Sequence, residues 1–128
     1  MWEGVKSGWG ITLDDDKRIL YVSDGTSKIT RVDADTLEQT SQFTVRNAKG
    51  HAVPKINELE FVDDFIWANV FGKNSMIKID PDSGYIVAKL DFKHLHDAEI
   101  KLVKAKNEYA GYDHGNNVCN GIAYNEAE

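Results

Sequence analysis

The chain has 128 residues, 41% of them apolar, and a formal net charge of −6. That length suits one modest core, and 15 Lys and Arg dispersed along an acidic chain exclude the clustered basic surface that a nucleic acid would need. No apolar run approaches the ~20 residues of a membrane span, residues 1–6 show no signal-peptide core, and the single cysteine, Cys119, excludes an internal disulfide.

Short β-branched and aromatic segments then follow one another, separated by turn chemistry. In a first unit they fall at 11–13, 18–23, 28–32 and 42–45, and the connections carry Asp14-Asp15-Asp16, Asp24-Gly25-Thr26-Ser27 and Asp33-Ala34-Asp35. A second unit repeats the plan at 59–62, 65–70, 76–79 and 86–90. Its turns are Asp63-Asp64, Gly72-Lys73-Asn74 and Asp80-Pro81-Asp82-Ser83-Gly84. Val32-Asp33 and Ile79-Asp80 are 47 residues apart. Four strands with a period in the forties predict β-propeller blades, an all-β fold.

Trp9, Asn57 and Asn120 each stand two residues before an apolar residue that opens an alternating run: Ile11, Leu59 and Ile122. A repeat architecture presents varied chemistry at one place in this way. The predicted organisation is a partial propeller, with units at about 8–47 and 56–92, an insertion at 93–117 and the start of a next blade at 118–128. Within the insertion, Ala98, Leu102, Val103 and Ala105 would line a short helix. Two blades and one strand do not close a ring of roughly four to eight blades, so the chain reads as an internal part of a larger repeat protein, with open blade faces available for self-association.

Several residues have plain structural readings. Trp67 follows the apolar alternation of its strand and is expected in the core. Asp14-Asp15-Asp16 lacks the glycine and terminal glutamate of a calcium loop and reads as a solvated hairpin turn. His94, His96 and Asp97 are the right ligand types for zinc, but an i, i+2 pair shares a face only on a strand. Cys119, in a loop-like setting near His114, reads as structural. His51 is expected to be exposed.

Gly8-Trp9-Gly10-Ile11-Thr12, Ser23-Asp24-Gly25-Thr26, Ile56-Asn57-Glu58-Leu59-Glu60-Phe61, Ala68-Asn69-Val70, Ile79-Asp80-Pro81-Asp82-Ser83-Gly84 and Asn120-Gly121-Ile122-Ala123-Tyr124 together resemble the plant and bacterial type of glutaminyl cyclase. This is the glutamine cyclotransferase family of five-bladed propellers. The resemblance implies conversion of an N-terminal glutamine of a peptide or protein to pyroglutamate, with release of ammonia, in a central channel and without a metal or other cofactor. It implies a secretory or periplasmic setting. Trp9 would pack against the substrate's glutaminyl group, Asn57 would donate to the carboxamide oxygen, and Asn120 would face the channel. Phe71 stands where the family usually has tryptophan, which keeps an aromatic wall but removes an indole donor.

The family's Phe-Thr-Gln-Gly motif, its Phe-Gly-Glu-Gly motif with the proposed proton-shuttling glutamate, and its last-blade lysine are not in this sequence. Glu58 follows Asn57 directly and by simple alternation would point to the other face. The chain by itself is therefore expected to be inactive. A non-catalytic propeller that binds or scaffolds a partner is the alternative.

Overall fold

The structure is a computed structural model, and it describes residues 4, 5 and 7–92. Eight strands form two four-stranded antiparallel sheets, each in simple chain order. The first contains β1 (Gly10–Asp14), β2 (Ile19–Ser23), β3 (Lys28–Asp33) and β4 (Gln39–Thr44). The second contains β5 (Ile56–Val62), β6 (Phe65–Val70), β7 (Ser75–Ile79) and β8 (Ile86–Asp91). Two starts differ from the sequence expectation by more than a residue. β4 begins at Gln39, because the polar run Gln39-Thr40-Ser41 pairs across a register shift at Arg31 and Val32 without any apolar alternation to reveal it. β5 begins at Ile56, ahead of a register shift between Ile56 and Leu59.

The pairing shows that the two sheets are repeats of one another. Val32 pairs with Leu20 and Ile79 with Ile66; two residues on, Val22 pairs with Ile11 and Ala68 with Leu59. Ile11 and Leu59 therefore hold the same place in their blades, as the sequence alignment supposes. The outer turns agree as well. Asp33 accepts from the backbone of Leu37 and donates to Glu38, while Asp80 accepts from Gly84 and donates to Tyr85. In each turn the aspartate side chain also accepts from the amide two residues on, the usual Asp device for closing a turn.

The main core lies between the sheets. Ile29, Val45, Ile56, Ile66, Ala68 and Ile79 are fully buried there, with Tyr21, Leu59 and Ile77 beside them. Tyr21 stacks on Phe61 at 5.9 Å and meets Phe43 edge-on at 6.4 Å, arrangements that add to simple area burial. Burial first, and then the charge of Asp14, pushes the Tyr21 phenol up from its ordinary value. The linker between the sheets is tied to both: Val45 donates to Ser27, Arg46 to Gly84, and Ile86 to Arg46. His51, on that linker, is exposed.

Two structural readings change. Trp67 is half-buried and lies outside the inter-sheet core. It pairs with Lys78 and Glu60, on the face opposite Ile66 and Ala68, and the Lys78 ammonium stands 5.8 Å from its ring centroid. Its strand carries apolar residues on both faces, so apolar character alone did not tell the faces apart. Asp15 and Asp16 do form an exposed turn, but Asp14 is a buried strand residue whose Oδ1 accepts from Lys17 at 3.1 Å. Among the described residues, no group of three or more His, Cys, Asp or Glu is placed to hold a metal, and no helix is long and apolar enough to cross a membrane. The insertion at 93–117, the pair His94 and His96, Cys119 and Asn120 lie outside the described residues.

Candidate active site

β1 and β5 are the first strands of their sheets and run beside each other. Phe61 donates its amide to Thr12 Oγ1 at 2.9 Å across that boundary. At the starting end of these two strands the chain brings several segments together. Lys55 donates to the Gly25 carbonyl at 3.1 Å, Ile56 to Thr26 at 3.2 Å, and Phe71 to the Lys55 carbonyl at 2.8 Å. The β2–β3 turn, the entry to β5 and the β6–β7 turn are thereby laced into one surface. Lys55 adopts φ 63° there, a conformation that a non-glycine residue holds only when its surroundings fix it.

Trp9 and Phe71 meet on this surface although they are remote in sequence. Their ring centroids are 5.6 Å apart at 71°, an edge-to-face pair, and each ring is more than a third exposed. Trp9 is anchored by its amide donating to Ser23 at 3.0 Å and by its indole donating to Ser7 Oγ at 3.1 Å. Its ring lies directly over Gly25, where a Cβ would come within 2.5 Å. Two partly exposed aromatic residues beside one another make a wall suited to a flat, partly apolar group such as an amide.

Asn57 sits at the same end and is 6% exposed. It lies in a β-bulge: Ile56 pairs with Val70 and Leu59 with Ala68, so Asn57 and Glu58 together oppose the single residue Asn69. This is why β5 starts earlier than alternation suggests, because the bulge puts both Ile56 and Leu59 into the core. Strict alternation would send Glu58 away from Asn57, but alternation does not hold across a bulge, and both residues stand opposite Asn69.

The peptide joining Asn57 to Glu58 is held on both sides. Ser23 Oγ, from the first sheet, donates to the Asn57 carbonyl at 2.5 Å. The Glu58 amide donates to Asn69 Oδ1, in the second sheet, at 2.9 Å. Ser23 and Asn69 are both fully buried. Gly10 permits the approach of the two strands, since a Cβ on it would stand 2.3 Å from the Asn57 carbonyl oxygen. Ser23, Gly10, Gly25 and Asn69 occur in the same motifs as the candidate residues, but nothing in their pattern assigns them a role. The available signal was a polar Asn inside an apolar strand, which must find a partner if it is buried.

Two consecutive four-stranded meanders, packed face to face with their first strands side by side and a polar and aromatic cluster at one end of those strands, define part of a β-propeller. Residues 2–128 match the glutamine cyclotransferase family, and the chain belongs to it. It is 32% identical over 120 residues to the glutaminyl-peptide cyclotransferase of Arabidopsis thaliana, covering 94% of this chain and 34% of that protein. It is also similar to the crystal structure of Myxococcus xanthus glutaminyl cyclase, with a TM-score of 0.66 and 30% identity over 72% of this chain and 38% of that one. The WD40 domain of Neurospora crassa Pan2 shares the fold, with a TM-score of 0.55 at 13% identity over 70% of this chain and 25% of that one. The chain thus spans little more than a third of the length of the two cyclases it matches.

Proposed function

We propose that these blades form part of the channel of a glutaminyl-peptide cyclotransferase acting on peptides or proteins with an N-terminal glutamine. The supporting observation is the open Trp9–Phe71 wall at the same strand ends as the buried Asn57. In the reaction the substrate's α-amine attacks the side-chain carboxamide carbon. A C–N bond forms, the bond to the carboxamide nitrogen breaks, and that nitrogen leaves as ammonia after a proton passes to it from the attacking amine. Nucleophile and electrophile belong to one residue, so the protein's task is to fold that residue, stabilise the oxyanion and move the proton.

In this reading Trp9 and Phe71 hold the glutaminyl group, and the Asn57 amide donates to the oxygen that becomes negative. Asn120, which lies outside the described residues, is assigned to substrate binding with them from its place in the sequence repeat. None of these four side chains titrates, so the proton is moved by another group of the complete ring. The test is pyroglutamate formation from a glutaminyl dipeptide. In a ring that carries these blades, Asn57→Ala lowers kcat by about 10²-fold, the usual cost of losing one oxyanion donor, and an unchanged kcat rejects the assignment. The 128-residue chain assayed alone is expected to show no turnover above the spontaneous rate.

A further inference from the structure

We propose that Ser23 and Asn69 act as a pair of positioning residues that aim the Asn57 side chain by clamping the peptide plane between Asn57 and Glu58; the inference rests on the channel role proposed for Asn57. One peptide unit receives both contacts. Its carbonyl oxygen takes the Ser23 hydroxyl from the first blade, and its N–H is taken by the Asn69 carboxamide oxygen of the second blade. With that peptide held at both its edges, and with Ile56 on the other side of Asn57 paired to Val70 and donating to Thr26, rotation about the Asn57 Cα–C bond is restricted, and the Cα–Cβ direction that results sets where the amide can point.

The clamp is built to do this and not merely to fill space. Bulges break the ladder and leave backbone groups to be satisfied by other means, and both clamp residues are completely buried, where a lost partner is costly. The two residues also hold the same place in their blades. Leu20 corresponds to Ile66 and Val22 to Ala68 by the pairing described above, so Ser23 corresponds to Asn69. One repeat position therefore supplies a donor from one blade and an acceptor from the next, and the aim of Asn57 depends on how the two blades sit against each other.

The test compares Ser23→Ala, Ser23→Thr and Asn69→Leu in a ring that carries these blades. Ser23→Ala and Asn69→Leu each lower kcat about tenfold with KM little changed, as expected for misplacing a group that acts in the transition state. Ser23→Thr, which keeps the hydroxyl, restores most of the rate. In the Asn57→Ala background neither substitution costs anything further, because a residue that acts through Asn57 has nothing left to position. NMR gives a readout independent of turnover: Ser23→Ala shifts the Asn57 carboxamide signals, and Asn69→Leu speeds exchange of the Glu58 amide at least about tenfold. Additive loss in the double variants, or unmoved Asn57 carboxamide signals, overturns the proposal. If Asn57→Ala itself leaves kcat unchanged, the oxyanion role of Asn57 falls, while the NMR signals still decide whether the clamp aims Asn57.

Discussion

The two blades use one plan with different residues at matching places, and the differences mark where one blade leans on the other. Each outer turn ends in a left-handed residue four positions along from its starting aspartate: Leu37 at φ 62° in the first blade, Gly84 at φ 80° in the second. Leu37 is 58% exposed. Gly84 lies against the end of β4, where a Cβ would stand 2.6 Å from the Thr44 carbonyl oxygen. The turn's own geometry tolerates a side chain, as Leu37 demonstrates, whereas the neighbouring blade does not. The β2–β3 and β6–β7 turns show the reverse. Gly25 at φ 82° sits under the Trp9 ring, while Gly72 at φ 84° has open space beyond it.

This contrast sets the order of four expected effects. Gly84→Ala carries both a left-handed cost and a backbone clash, and should lose about 3 kcal/mol in chemical denaturation. A loss no larger than that of Gly72→Ala would mean the blades do not meet there. Gly25→Ala should cost about 2 kcal/mol, and Gly72→Ala about 1 kcal/mol from backbone strain alone. Only the Gly25 substitution should also weaken binding of a glutaminyl peptide, because it displaces Trp9 from Phe71. Leu37→Gly should stabilise slightly, by about 0.5 kcal/mol, as relief of the left-handed strain exceeds the added freedom of the unfolded chain.

The smallest effect is the acid response of the first blade's outer turn. The amides of Thr36 and Asp35 hold the Asp33 carboxyl below the ordinary carboxylate range. A depressed carboxyl contributes stability above its unfolded pKa, and that contribution fades as pH falls through the lower, folded value. Asp33→Asn should therefore flatten the acid limb of the stability curve and leave the slope near neutral pH unchanged. An unaltered acid limb in a urea titration from neutral to low pH would show that these amides do not hold the charge.

Much of the fold was legible because blades are local objects. Alternating apolar residues, Asp-rich turns and a repeat in the forties require no knowledge of distant contacts, and they placed six of the eight strands to within about a residue or two. β4 and β5 were started late because Gln39-Thr40-Ser41 and Asn57-Glu58 do not alternate. Trp67 was assigned to the core because a strand with two covered faces gives no sign of which face is which. At the site, the repeat singles out Trp9 and Asn57 as one slot, while their roles, and Phe71 altogether, come from the resemblance.

By itself the sequence determined the strand pattern, the turn chemistry, the repeat and the family, since each is written in residue types at short spacing. Tertiary structure decided the rest. It set the meeting of Trp9 with Phe71, the bulge that buries both Ile56 and Leu59, and the two-sided hold on the Asn57–Glu58 peptide by Ser23 and Asn69. Those features depend on groups brought together across two blades. A short window of sequence encodes what a strand prefers, but not which buried carbonyl or amide its neighbour will offer.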